Sequence, residues 1–258
     1  MKRLSLVGLG IVDERSIPLR GLELVRKADR VYCEFFTSIL KEGSVDRLRE
    51  LAGRRIEFID RRELEEAEVI MKALAKVDHV CLLTAGDPLT ATTHQELRMD
   101  AVRSGCMVEI VHSGSIFTAA AGACGLQHYK FGRTTTLGFP EGDYFPTSPL
   151  EMISDNTKRG LHTLVLLDIQ ADRGRYMTVD QACTLLMEME KRAGQGVVGP
   201  SYRVIGIARA GRPDQRIVFD TISSLSSTDL GPPPHCIIVP GDLHFMEEEL
   251  LMLVGGSG

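Results

Sequence analysis

The run His79-Val80-Cys81-Leu82-Leu83 is the most constraining stretch of this chain. It is continuously apolar after its histidine rather than alternating, so it reads as a strand buried on both faces, as in a parallel sheet. It stops at Thr84-Ala85-Gly86-Asp87-Pro88, where glycine and proline force a turn. Shorter β-like runs recur through the first half, at 4–8, 30–35, 55–59 and 107–111. Helical patterns separate them, at 18–28, 45–51, 64–76 and 93–103. The third of these rests on the spacing of Ala67, Ile70, Met71 and Leu74. Strands alternating with helices predict an α/β fold with a largely parallel sheet.

The second half changes character. A small-residue helix is expected over 117–124, strands over 134–139 and 163–169, and a polar helix over 150–158 between them. A helix at 182–191 carries Leu185, Leu186 and Met189 on one face. Further β signals fall at 204–208, 216–219 and 236–239, the last entered through the rigid Gly231-Pro232-Pro233-Pro234 turn. A final helix is expected over 243–253, followed by a frayed end. With 258 residues the chain can hold two domains of ordinary size. The expected organisation is two α/β domains, 1–111 and 112–258, joined near 112–116.

Several function classes are disfavoured. A net charge of −5 offers no bulk attraction for nucleic acid. The longest apolar runs are of strand length, far below the roughly 20 residues of a spanning helix. The first ten residues read as a strand and turn rather than as a signal peptide, so a cytoplasmic protein is expected. Six scattered cysteines without a C-x-x-C pair are expected to be buried free thiols. Seven histidines without H-x-x-x-H spacing argue against zinc. There is no G-x-S-x-G elbow and no phosphate-binding G-x-x-x-x-G-K-[ST] loop. Gly8-Leu9-Gly10 follows the first strand, but Asp13 stands where a dinucleotide fingerprint needs its third glycine.

Four loops carry the chemistry that is legible. The Gly8 turn is either a plain tight turn or a ligand loop approached by backbone. Asp87 either caps a helix starting near Thr90 or accepts bonds from a ligand ammonium or hydroxyl. Ser115, in His112-Ser113-Gly114-Ser115-Ile116, is a natural N-cap, a ligand contact, or both. The stretch 141–148 gathers Glu141, Asp143, Tyr144 and Phe145, either as a docking surface or as a packed loop capped by Thr147 or Ser148. Arg61-Arg62 and the glutamates after it read as a solvated helix face.

Taken in order, these segments resemble the tetrapyrrole methylase-like (class III) methyltransferases. More narrowly they resemble the diphthine synthase family. The resemblance lies in Gly8-Leu9-Gly10 with Asp13-Glu14-Arg15, Gly86-Asp87-Pro88 with Ala91-Thr92-Thr93-His94, and Ser115-Ile116. It continues through Tyr129-Lys130-Phe131-Gly132, Phe145-Pro146-Thr147-Ser148, Gly160-Leu161-His162-Thr163-Leu164, Ala208-Arg209-Ala210-Gly211 and Pro232-Pro233-Pro234-His235. It spans about residues 3–253. It implies two α/β domains, S-adenosylmethionine in the cleft between them, and a homodimer. It also implies cofactor contacts from Ile11, Asp87, Thr90, Ser115, Ile116, Leu167, Ala210 and His235. Ala85 departs from a common proline, Thr90 from a common valine, and His112-Ser113-Gly114 from the usual approach to the Ser-Ile pair.

The activity so implied is N-methylation of the amino group of a modified histidine on translation elongation factor 2, to the trimethylated product. A corrin- or porphyrinogen-precursor C-methyltransferase, or a non-catalytic cofactor-binding regulator, are the alternatives. The electrophile arrives with the cofactor, so the protein has mainly to align atoms and exclude water. Asp168 and His112 are, by position, the candidates for a base.

Overall fold

The computed structural model describes residues 1–36, 38–65, 68–142, 145 and 147–255. The chain divides into two compact units, Met1–Ile116 and Phe117–Gly258.

In the first unit, strands β1 (Arg3–Gly8), β2 (Arg30–Glu34), β3 (Glu57–Phe58), β4 (His79–Thr84) and β5 (Met107–Val111) form one sheet in the order β3-β2-β4-β1-β5. Every pairing is parallel, so each crossover needs a connecting segment, mostly helical. These are α1 (Leu19–Lys27), α2 (Ser44–Ala52), α3 (Arg61–Glu65), α4 (Glu68–Lys76) and α5 (His94–Arg103). Every residue of β4 is buried, the physical consequence of its unbroken apolar run. Alternation along the strands then splits the core in two. Val7, Val31, Cys33, Cys81 and Leu83 face one layer with Leu22, Val25 and Leu48. Leu4, Leu6, Tyr32, Val80 and Leu82 face the other with Ile70, Leu74 and Leu97. The helix expected over 64–76 is found as α3 and α4; Ala67 lies outside the described residues. The strand expected over 55–59 keeps a ladder only at its centre, because an edge position offers a single partner, β2.

The second unit opens with α6 (Ile116–Cys124), which starts at the division, and continues with β6 (Thr135–Leu137), α7 (Ser148–Thr157) and β7 (Thr163–Leu167). A small hairpin of β8 (Ile169–Gln170) and β9 (Arg175–Tyr176) leads into α8 (Val179–Ala193). Then follow β10 (Arg203–Ala208), β11 (Arg216–Thr221), α9 (Ile222–Leu225), β12 (His235–Val239) and α10 (Phe245–Val254). The sheet order is β11-β10-β12-β7-β6. Only β6 and β7 run parallel; the other pairs are antiparallel. Helix α8 begins earlier than its apolar spacing suggested, because Thr178 and Gln181 form a capping box that satisfies its free amides. Val179, Ala182, Cys183, Leu186 and Met189 then bury one stripe against the sheet. All six cysteines are free and buried. Burial pushes the thiols of Cys81, Cys124 and Cys183 up to about 12, so they pack as neutral hydrophobes. Among the described residues no helix is long and apolar enough to cross a membrane.

One buried polar knot closes the second unit. The Glu247 carboxylate, 1% exposed, accepts from the Gln127 amide (2.8 Å), His162 Nε2 (3.2 Å), Lys130 Nζ (2.5 Å) and the His244 amide (2.8 Å). His162 Nδ1 in turn accepts from the Gly241 amide at 3.0 Å, which leaves the ring proton on Nε2 facing Glu247. Burial opposes the charge on Glu247, but these donors outweigh it and hold the carboxyl at about 2. Removing one partner of such a group strands the others, at a cost of about 3–5 kcal/mol.

The same groups set the acid stability. Burial also holds His79, His94 and His162 below the usual 6.5. The unfolded chain therefore takes up protons near 6.5 that the folded chain refuses, and stability falls as pH drops through that value. Glu247 adds a second loss, beginning near its ordinary 4.5 and running down to about 2. Urea titrations are expected to give a lower unfolding free energy at pH 5.5 than at pH 7.5, and a further fall below pH 4.5. Glu247→Ala is expected to lose about 3–5 kcal/mol at neutral pH and to flatten the second fall.

Candidate functional site: the carboxyl ends of the parallel strands

Open α/β sheets bind ligands beyond the carboxyl ends of their strands. In the first unit the adjacent strands β4, β1 and β5 end there in three loops. The Gly8 loop and the Gly86 loop are joined by a two-way bridge: Gly10 N–H to Gly86 O at 3.2 Å, and Gly86 N–H to Gly10 O at 2.7 Å. Both glycines sit at positive φ, +72° and +82°, which side-chain-bearing residues rarely adopt. Gly8 is glycine for a different reason. A Cβ there would lie 2.6 Å from Gly86 O, 2.8 Å from Ser113 Cβ and 3.0 Å from Pro88 Cδ. The three loops meet on that one missing side chain.

Asp87 locks them. Its Oδ1 accepts from the Leu89 amide (3.0 Å) and Thr90 Oγ1 (3.0 Å), and its Oδ2 from His112 Nδ1 (2.8 Å) and the Ser113 amide (3.3 Å). Burial works against the charge, yet the bonds from Leu89, His112, Thr90 and Ser113 together hold the carboxyl below its ordinary value. These four donors fill the acceptor capacity of a carboxylate. Asp87 therefore does not cap the following helix. Helix α5 starts at His94, with Thr93 at its N-cap. Asp87 holds the backbone of the three loops and places a negative charge among them. The hydroxyl that distinguishes Thr90 from valine is spent on the same carboxylate.

Of the other expected cofactor residues in this unit, Ile11 follows the bridge and Ser115 and Ile116 open α6. All three are half-buried. A Cβ on Gly86 or Gly114 would meet nothing within 4 Å, so space is left beside both, although Gly86 itself is buried and Gly114 exposed. His112 is held by Asp87 through Nδ1, with its side chain 69% exposed.

In the second unit, β-register brings the remaining three together. Ala208 pairs with His235, and Cys236 with Leu166, so Leu167, His235 and the start of the 209–211 turn line one end of the sheet. Ala210 and Leu167 are each 6% exposed. The turn is strained: Arg209 has φ +53°, a region non-glycine residues rarely occupy. Its guanidinium is pinned by Asp214 (Nε–Oδ2 2.7 Å) and by the Pro232 carbonyl. His235 has both nitrogens spent on backbone, Nδ1 accepting from the Val179 amide (3.2 Å) and Nε2 donating to Pro232 O (3.1 Å).

Asp168 Oδ2 accepts from the Phe139 amide (3.1 Å) and Gln170 Nε2 (3.1 Å). Phe145, partly buried, packs against the core with the Arg192 guanidinium 3.7 Å from its ring centroid, as the packed-loop reading has it for this ring. Tyr144, the other aromatic of that loop, lies outside the described residues. The Gly8 contact and the Asp87–His112 pair escaped sequence reading, since both depend on loops distant in sequence. Among the described residues no group of three His, Cys, Asp or Glu could hold a metal ion.

A parallel sheet ending in glycine loops, with no nucleophile constellation, suits a ligand that brings its own reactive group. The model of the tetrapyrrole (corrin/porphyrin) methylases matches residues 3–226, and the chain belongs to that family. It is 41% identical to the diphthine synthase of Methanothermobacter thermautotrophicus over 254 residues, covering 98% of this chain and 96% of that one. It is likewise 41% identical to the diphthine synthase of Methanocaldococcus jannaschii, covering 96% and 97%. A solved diphthine synthase structure superposes with a TM-score of 0.89 at 34% identity, covering 100% of this chain and 97% of the other. Within the methylases the chain belongs with the diphthine synthases, S-adenosylmethionine-dependent methyltransferases of diphthamide biosynthesis.

The glycine contact gives a direct test. Gly8→Ala drives a Cβ into a carbonyl and a proline ring, neither of which can yield cheaply, and overpacking of this kind costs about 1–3 kcal/mol. Calorimetric titration is expected to show S-adenosylmethionine affinity reduced about tenfold or more, with the circular dichroism spectrum unchanged.

Proposed function

We propose that the protein methylates the amino group of the modified histidine of translation elongation factor 2, on to the trimethylated product. The observation that carries this reading is the three-loop cradle around Gly8, where space is left beside Gly86 and Gly114 and Asp87 supplies a buried negative charge. Ile11, Asp87, Thr90, Ser115 and Ile116 of the first unit, with Leu167, Ala210 and His235 of the second, are the residues we assign to the cofactor. The apolar members suit the adenine and the methionine chain, and backbone groups suit the polar edges.

The bound cofactor supplies a methyl group already activated on sulfonium. What the chain must add is alignment, worth on the order of 7–11 kcal/mol when reacting atoms are well oriented, and removal of the proton that an incoming ammonium carries. Of the two candidate bases, Asp168 has one carboxylate oxygen engaged by two donors of its turn. His112 is favoured: a carboxylate on Nδ1 orients its ring, its Nε2 edge is free of that bond, and its exposure lets each proton pass to water. Successive methylations of one nitrogen need that return each time.

The test is incubation with labelled S-adenosylmethionine and elongation factor 2 carrying the unmethylated intermediate. Label on the factor supports the reading, and label on a tetrapyrrole precursor supports the alternative of the same fold. Binding without transfer supports a regulator. His112→Ala is expected to slow transfer by about 10²–10⁴-fold while binding cofactor within a few-fold of the parent; retained turnover would exclude it as the base.

We further propose a cytoplasmic homodimer. Met246, Leu253 and Phe245 on α10 are 60%, 75% and 70% exposed, and apolar side chains left together in water mark a contact surface. Met246 and Leu253 lie two turns apart on one helix face. The double substitution Met246→Lys with Leu253→Lys is expected to shift light-scattering mass from dimer to monomer; an unchanged mass places the interface elsewhere.

A further inference from the structure

The signature stretch Ala91-Thr92-Thr93-His94 ends in a side chain that is 1% exposed. His94, in the first turn of α5, points its Nδ1 at the Pro88 carbonyl at 2.7 Å. A carbonyl only accepts, so Nδ1 carries the ring proton. Thr92 Oγ1 donates to the same carbonyl at 3.0 Å. On the other side of the ring stands Glu34, at the end of β2 and fully buried, with Oε1 3.8 Å from Nε2. Its other oxygen accepts from the Phe36 amide at 3.1 Å.

Three successive residues of the cradle are thus held by different means. Gly86 is held by Gly10, Asp87 by its four donors, and Pro88, which has no N–H of its own, only through its carbonyl. The Pro88 ring is also one of the three walls around Gly8. A carbonyl that moved would carry that wall with it and loosen the contact on which the loops converge. Without His94 that carbonyl would keep only the Thr92 hydroxyl as donor, and at this depth no water is at hand to replace the lost bond.

We propose that His94 is a positioning residue for the cofactor loop, fixing Pro88 from inside the fold while touching no ligand itself. This rests on the assignment of the 86–88 turn to the cofactor. Its role is to pre-form the turn, so that binding does not have to order it.

The discriminating variants are His94→Phe, which keeps an aromatic ring but has no donor, and His94→Asn, whose amide nitrogen occupies the place of Nδ1. Two readouts are needed, and the first uses the protein without cofactor. Hydrogen exchange of the Gly86 and Leu89 amides is expected to quicken about tenfold in His94→Phe and to return to within about threefold of the parent in His94→Asn. Titration with S-adenosylmethionine is expected to show the same order, with Kd raised about tenfold in His94→Phe and largely restored in His94→Asn. Should His94→Phe fail to fold, His94→Gln, which sets its donor one bond further out, takes its place with the same expected loss.

Parent-like exchange and affinity in His94→Phe would overturn the proposal. So would equal damage in the Phe and Asn variants, which would mean that ring shape, not the bond, is what matters. A parent chain that bound no S-adenosylmethionine would instead sink the cofactor assignment, leaving the exchange measurement to decide whether His94 holds the turn.

Discussion

The first unit depends on one buried carboxylate. Asp87 draws donors from its own loop and from the loop after β5, and the Gly10–Gly86 bridge adds the loop after β1. Neutralising that carboxylate would leave four donors facing an acceptor that no longer carries charge, in a place water barely reaches. The binding surface is in this sense a by-product of internal satisfaction. The loops first settle their own hydrogen bonds, and the space left over lies beside Gly86 and Gly114.

The second unit solves a similar problem with other means. Its sheet end near Leu167 and His235 carries no free acid or base among the assigned residues; even His235 has both nitrogens turned to backbone. Strain takes the place of glycine at Arg209, whose left-handed backbone is held by Asp214 and the Pro232 carbonyl. On α10 the knot around Glu247 ties the 127–130 segment and the 162 and 241–244 turns together. Each unit therefore uses a buried carboxylate, Asp87 or Glu247, for bracing. This is reasonable for a reaction whose electrophile comes ready-made, because the barrier is lowered by placing atoms rather than by generating a strong nucleophile.

Much of the fold was legible because burial writes a period into the sequence. The unbroken run of β4 announced a central parallel strand, and the spacing of Leu22, Val25 and Ala28 announced α1. Ends were less legible where a cap, not apolar spacing, sets them: α8 starts at Val179 because Thr178 and Gln181 cap it. The direction of the second sheet was not legible at all, since parallel and antiparallel neighbours can share one local pattern. The site was legible in part. Sequence order placed Asp87 and Ser115 at strand ends, but nothing local to Asp87 says that His112, 25 residues away, will occupy it. For Phe145 the loop composition left docking and packing both open, and nothing local to it names Arg192 as the partner of its ring.

The stretches that mark the family most specifically also carry braces, beside residues such as Ala210 that we assign to the cofactor. His94 of ATTH and His162 of GLHTL are each almost fully buried and each bond inward, to Pro88 and to Glu247. Phe145 of FPTS is packed against the core, and Arg209 of ARAG is pinned at an unfavourable backbone angle. A physical reason is at hand. A surface that binds through backbone atoms puts few demands on the side chains that face the ligand, because any residue has the same amide and carbonyl. The demands fall on whatever fixes those backbone atoms in place, and a buried donor with one partner tolerates few replacements. Motifs in a cofactor cradle of this kind record how the loops are held.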